Sequence, residues 1–292
     1  MTMSYLIVSD ASLDIDESFA KAHDIRYVTM EYMLGGELFS CNGPETDEVM
    51  HTYYEKLRKK VETKTSQITP MQYVESFEKW LKEGYDILYI CLSSGLSDTY
   101  SSANVAVNEL KETYPNAKVE IIDSLGATGG MGLLLEAAVT NCEAGMSIEE
   151  NAEQLRQRAA KIQYWFKVED LMYLMRGGRV SAATAILGTA LNIKPILTVN
   201  GKGKLDTIDK KRGNRLAMKN LVERFEQTWD SSLGNTVYIC CADCMKEAQT
   251  LKETLLEKYP QLQVRTTMLS PIIGAHTGPD MIALIHYGTG RA

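Results

Sequence analysis

Apolar and polar positions follow one another along this chain in two different rhythms. In the first half, short continuous apolar runs at 5–8, 87–92 and 119–122 stand between polar turns, the pattern of strands buried on both faces. Between them lie longer stretches, 46–61, 71–83, 98–114 and 131–141, whose apolar residues recur with helical spacing. Strand, helix, strand in this order predicts βαβ units, and so a parallel sheet with helices on both faces.

From about residue 147 the rhythm changes. A polar helix over 148–161 leads to an apolar run at 164–168, a helical segment at 170–176 and the pair Gly177-Gly178. Residues 196–199 and 204–208 flank Asn200-Gly201-Lys202-Gly203 and read as a β-hairpin. Helices over 214–228 and 245–259, with strands over 236–240, 263–268 and 281–286, complete this half. The expectation is an α/β protein of two domains without internal repeats. Residues 1–147 would hold a three-layer parallel-sheet domain and residues 148–292 a mixed-sheet α/β domain.

Composition narrows the function classes. With 292 residues the chain is long enough for a sizeable core, and its 31 Lys+Arg against 38 Asp+Glu leave a net charge of −7. No basic stripe is present to release counterions from a phosphate backbone, so nucleic acid is not an expected partner. No apolar stretch approaches the roughly 20 residues that span a bilayer, and no basic leader with a small-residue cleavage pattern opens the sequence, so the expected location is cytoplasmic. Of the six cysteines, Cys241 and Cys244 form a Cys-x-x-Cys with no second pair and no histidine at ligand spacing. A zinc set is incomplete, and a redox pair stands beside the simpler reading of packed, reduced thiols. No metal and no cofactor are expected.

Ligands of open α/β sheets bind beyond the carboxyl ends of the strands. Here those ends carry Ser9-Asp10-Ala11-Ser12, then Ser93-Ser94-Gly95-Leu96-Ser97-Asp98-Thr99, then Asp123-Ser124-Leu125-Gly126-Ala127-Thr128-Gly129-Gly130. Hydroxyls and free N–H groups in such loops suit a small anion, and they equally serve as helix caps. The glycines match neither a dinucleotide fingerprint nor a P-loop, and no Gly-x-Ser-x-Gly elbow is present. Two further segments stand out. His276 lies in Pro271-Ile-Ile-Gly-Ala-His-Thr-Gly-Pro-Asp280, read as a tight loop between strands, where an imidazole could be aimed or could bond its own backbone. Arg176-Gly-Gly-Arg179 could present a guanidinium to an anion or simply cap a helix.

Taken together, these segments resemble the DegV family of bacterial fatty-acid-binding proteins. The matching pieces are Val8-Ser-Asp10, Lys64-Thr-Ser-Gln67, Ser93-Ser-Gly-Leu-Ser97 with Thr99-Tyr100, Asp123-Ser-Leu-Gly-Ala127 with Gly129-Gly130, Leu174-Met-Arg-Gly-Gly-Arg-Val-Ser181, Lys194-Pro-Ile-Leu197 and Gly274-Ala-His-Thr-Gly278, in the family's order. The resemblance implies a two-domain fold holding one long-chain fatty acid between its domains, with its tail in an apolar tunnel. Its carboxylate would be held by Thr65 and Ser97, with Ser66 and Ser94 as neighbouring donors. Arg176 and His276 would stand near the mouth, facing the head group or a partner. Acyl carriers of this family present the carboxylate to a separate fatty acid kinase that uses ATP, so this chain would carry no catalytic residue. Asp98 and Asp280 occupy positions where the family usually has glycine, and Asp98 is expected to point outward from the first turn of a helix. The rival reading is a stand-alone phosphotransferase or hydrolase acting on a lipid or a small carboxylic acid. It would need a nucleophile with a base in reach. A regulatory interaction protein with a purely structural pocket is a third option.

Overall fold

The computed structural model describes residues 5–181 and 192–291. Its first half contains β1 (Leu6–Asp10), α1 (Glu17–Ala22), β2 (Arg26–Val28), β3 (Met30–Leu34), β4 (Glu37–Cys41), α2 (Asp47–Arg58), β5 (Thr63–Thr65), α3 (Pro70–Lys82), β6 (Ile87–Cys91), α4 (Thr99–Thr113), β7 (Val119–Asp123) and α5 (Gly129–Glu143). Strands β2-β1-β6-β7 form a parallel sheet, in which β1, β6 and β7 are the expected apolar runs and the three-residue β2, with Arg26 exposed, is an addition. A second, antiparallel sheet, β4-β3-β5, is new. In β3 the buried Met30, Tyr32 and Leu34 alternate with Glu31 and the exposed Met33, so an apolar residue on the outer face hides the period-two signal in the sequence.

The remainder runs α6 (Ile148–Ala159), β8 (Ile162–Lys167), α7 (Met172–Arg176), β9 (Ile193–Val199), β10 (Leu205–Arg212), α8 (Asn214–Thr228), β11 (Thr236–Cys241), α9 (Met245–Lys258), β12 (Gln263–Met268), α10 (Pro271–Thr277) and β13 (Ile282–Tyr287). The sheet order is β10-β9-β8-β13-β11-β12, in which only β11 and β12 are parallel. This is the mixed α/β sheet with the expected β9–β10 hairpin. Helix α8 lies on β8, β9 and β10, and α9 on β11 and β12.

Helix α5 joins the two large sheets. It touches β1 and β6 on one side and β8, β11 and β13 on the other. A helix packed on both sides needs no polar stripe, and its buried residues run continuously from Gly129 to Leu135. Helix α6 packs on α5 and β7, so a division at residue 147 leaves this helix against the half that precedes it.

One expectation is corrected. The segment containing His276 is not a loop but the short helix α10. Pro271 stands in its first turn, where the missing N–H costs nothing, and Gly278 ends it at φ 73°. Turn-forming residues at both ends of a seven-residue helix read as a loop in sequence. All six cysteines are buried and free, and the thiol of Cys244, the residue just before α9, donates to the Met281 carbonyl at 3.3 Å. Among the described residues no helix is long and apolar enough to cross a membrane.

Charged contacts tie α2 to the loops that carry α9 and α10. Arg58 donates through Nη1 to Asp243 and through Nη2 to the Asp243 carbonyl at 3.0 Å and to Asp280 at 2.6 Å. His51 reaches the same Asp243 carboxylate at 3.0 Å. Asp243 and Asp280 both have positive φ, 56° and 61°, so each adopts a backbone form that favours glycine while its carboxylate meets Arg58. His51, Glu55 and Asp243 hold ligand atoms within 4.8 Å of one another, but Arg58 already neutralises Asp243. Arg58→Ala leaves the largely buried Asp243 carboxylate without its cation. It is expected to lower stability by about 2 kcal/mol, a partly exposed pair being worth less than a fully buried one, as measured by urea unfolding.

Candidate functional site

A cavity of about 700 Å³ opens where the loops following β5, β6 and β7 meet β8, β13, α7 and α10. Its volume lies in the range of small-molecule sites. Strand register orders its depth. Phe166 stands opposite Ala283, and one step inward Tyr164 stands opposite Ile285, so these apolar residues lead away from the sheet edge where β8 ends and β13 begins. Helices α7 and α10 flank that same edge and bring polar groups to it. The cavity therefore has a polar end and an apolar interior.

Thr65, Ser66, Ser94, Ser97 and His276 all line it. Thr65 sits at the end of β5, and its Oγ1 lies 2.8 Å from Nε2 of His276 on α10. Ser97 Oγ is 2.8 Å from Thr99 Oγ1 and accepts from the Thr99 amide at 3.2 Å. Asp98 stands at the start of α4, exposed and without a side-chain cap bond, at the rim of the cavity. The loop holding Ser94 and Ser97 is set by the hairpin from the other half: Ser93 Oγ donates to the Gly203 carbonyl at 2.9 Å. A Cβ on Gly203, which has φ 70°, would lie 2.1 Å from that hydroxyl, so the close approach demands glycine. Ser93 is thus a structural member of the serine-rich run.

Arg176 does not line the cavity. It is exposed, and its guanidinium lies 4.6 Å from the centre of the Tyr173 ring. Arg179 lines the cavity instead, donating through Nε to the Leu96 carbonyl at 2.9 Å and through Nη1 to the Gly177 carbonyl. The glycine pair between the two arginines turns the chain, and only the residue beyond the turn faces inward. Gly177 has its own role: a Cβ there would lie 2.2 Å from His276 Nδ1.

The electrostatics of this end favour a neutral imidazole. Burial, with the nearby Arg179 charge, pushes the His276 pKa down to about 4. His276 Nδ1 is buried and has no hydrogen-bond partner among the described residues. An orphaned N–H is rarer in proteins than an orphaned acceptor, so the favoured tautomer puts the proton on Nε2, where it donates to Thr65 Oγ1. The Thr65 hydroxyl hydrogen is then free to point at a ligand oxygen.

Between pH 6.5 and 4 the unfolded chain takes up a proton at His276 that the folded chain refuses. The contribution of this residue to stability is thus present above pH 6.5 and falls as pH drops through that window. The stability difference between wild type and His276→Gln is expected to shift against wild type by about 2 kcal/mol on going from pH 7 to 4.5. Urea unfolding of both proteins at the two pH values checks this.

The chain was compared with known proteins. A family model described as "Uncharacterised protein, DegV family" matches residues 4–288. A DegV domain-containing protein of Clostridium perfringens is 34% identical over 97% of both chains. Among solved structures, DegV of Bacillus subtilis, described as a fatty acid binding protein, superposes with a TM-score of 0.82 at 26% identity, covering 99% of this chain and all of that one. The Fatty Acid Kinase (Fak) B3 protein of Streptococcus pneumoniae, loaded with linoleic acid, superposes with a TM-score of 0.83 at 21% identity over 98% of this chain and all of that one. The family match over nearly its whole length and the 34% identical relative place this chain in the DegV family.

Proposed function

We propose that this chain binds a long-chain fatty acid and presents its carboxylate to a separate fatty acid kinase. The observation that carries the reading is the division of one cavity into a hydroxyl- and imidazole-lined end and an apolar interior. The relative in Bacillus subtilis, described as fatty acid binding, supports the ligand. The kinase partner is supported by the motif resemblance and by the name of the Streptococcus pneumoniae protein that shares the fold.

In this reading the Thr65 hydroxyl, held from behind by His276 Nε2, donates to one carboxylate oxygen, and Ser97 donates to the carboxylate as well. Ser66 and Ser94 are neighbouring donors at the rim. Arg179 adds a positive charge close by, which favours the ionised acid. Neutral donors hold the carboxylate without locking both its oxygens into an ion pair. One oxygen stays able to attack the terminal phosphorus of a nucleotide bound by the partner, while the bond to the leaving diphosphate breaks. The tail lies along Phe166, Met281, Ala283, Tyr164 and Ile285. Arg176, exposed on Tyr173, is placed on the outside for a partner to meet.

The Thr65–His276 pair also has the spacing of a nucleophile and its base, which gives the enzyme reading one specific observation. Against it, the other imidazole nitrogen lacks the acceptor that orients the base in hydrolytic triads. Turnover of acyl esters by purified protein would revive that reading.

Thr65→Ala with Ser97→Ala is expected to weaken fatty-acid binding at least tenfold while leaving the thermal midpoint within a few degrees, because each loses only one or two hydrogen bonds at the cavity wall. Titration with a fluorescent fatty acid, beside native mass spectrometry of freshly purified protein, measures both affinity and any retained ligand. Unchanged affinity in the double variant removes these hydroxyls from the site.

A further inference from the structure

A second concavity lies on the opposite face of the mixed sheet, between α8 and α9, with a volume of about 620 Å³. Strand register places its open end. Arg212 pairs with Ile193, Ile196 with Lys167, Lys167 with Ile282 and Ile282 with Cys241, so α8 and α9 both begin at one sheet edge. That edge also carries α7 and α10, hence the polar end of the cavity. At their far ends the two helices are joined: Tyr259 packs on Phe225 and Trp229 with ring centres 5.6 and 5.4 Å apart, and Lys258 pairs with Glu226 at 2.7 Å. The helices thus form a trough closed at one end.

Its floor is Met218, Val222 and Leu251. Arg215 and Lys219 stand along one wall and Lys246 and Lys258 along the other, against the single acid Glu247. Four cations to one anion is the reverse of a chain whose net charge is −7. Lys219 and Lys258 have acidic neighbours on the helices, whereas Arg215 and Lys246, at the open end, have no ion-pair partner among the described residues. Beside them Leu216 and Met245 are each 42% exposed. Neither helix has a side-chain cap, so both positive dipole ends reinforce this charge.

We infer that this trough is the docking site for an acidic amphipathic helix of a partner protein. The floor is recessed, with Val222 only 7% and Leu251 only 2% exposed, so a flat lipid surface would ride on the lysines while a helix ridge reaches it. Lining positions recur from 214 to 222 and from 246 to 258, which at 1.5 Å per residue spans roughly 12 to 18 Å, two to three turns of an occupant. The occupant presents a leucine-type ridge at helical spacing with glutamate or aspartate on both flanks. Seated there, it brings its own protein to the edge where the cavity opens. The inference does not rest on the nature of the cavity's ligand.

The test uses three probes on the full chain: an 18-residue synthetic helix with a leucine ridge flanked by glutamates, the same ridge flanked by lysines, and vesicles containing one third anionic lipid. The expected result is binding of the acidic peptide alone, with NMR shifts of the Met218, Val222 and Leu251 methyl groups. Affinity should fall at least tenfold in Arg215→Glu/Lys246→Glu and should weaken steeply between low and high salt. Both substitutions are at exposed positions, and an unchanged circular dichroism spectrum and thermal midpoint verify that the variant is folded. Equal binding of both peptides, binding of neither, or undiminished binding by the double variant overturns the inference. Vesicle binding without peptide binding would mean that the trough meets a membrane.

Discussion

The site depends on where one short helix is held. His276 belongs to the second half of the chain and Thr65 to the first, and they meet because α10 is anchored by groups from the first half. The Ser270 amide donates to Asp14 at 2.7 Å, Tyr54 donates to the Leu269 carbonyl at 2.9 Å and Tyr53 to the Pro271 carbonyl at 3.1 Å. A Cβ on Gly274 would lie 2.5 Å from the Tyr54 hydroxyl, so the helix is seated directly on that ring. These bonds are buried, where leaving either partner unmade costs roughly 1–3 kcal/mol, and together they fix α10 far more tightly than its seven residues could fix themselves.

Asp14 shows the cost of such an anchor. Its carboxyl is buried, and desolvation pushes its pKa up to about 7, against the pull of the hydrogen bond from the Ser270 amide. The trend is opposite in sign to that of His276: a raised carboxyl pKa favours folding on the acid side, and a lowered imidazole pKa disfavours it there. Near pH 7 His276 is therefore neutral, with Arg179 the cation beside it, while Asp98, Lys204 and Asp206 also line the cavity.

Much of the fold is legible along the chain because its strongest signals are local. The apolar runs of β1, β6 and β7, the Asn200-Gly201 hairpin and helices such as Asn214–Thr228 each announce themselves within a dozen residues, whereas the three-residue β2 does not. The small antiparallel sheet does not, because Met33 and Leu38 put exposed apolar side chains where alternation should show polar ones. The site was half legible. Thr65, Ser66, Ser94, Ser97 and His276 do converge on one cavity, as their shared motifs suggest. Arg179 was passed over for Arg176 because both flank the same glycines, and only the direction of the turn decides which guanidinium faces inward. The apolar part of the cavity lining, drawn from β8 and β13, is fixed by cross-strand register between residues more than a hundred positions apart, and no local pattern encodes that.

Helix α5 carries a consequence for the molecule as a whole. Its residues from Gly129 to Leu135 are hidden under both sheets at once, with Tyr238 packed onto Gly129 and Gly132 and Tyr164 onto Gly130. Neither lobe therefore owns a finished surface. Cut the chain after this helix, and one fragment displays a bare apolar rod while the other displays an uncovered sheet. The two lobes are expected to unfold in one cooperative transition, with the amino-terminal lobe partly uncovered until β8, β11 and β13 have formed against α5.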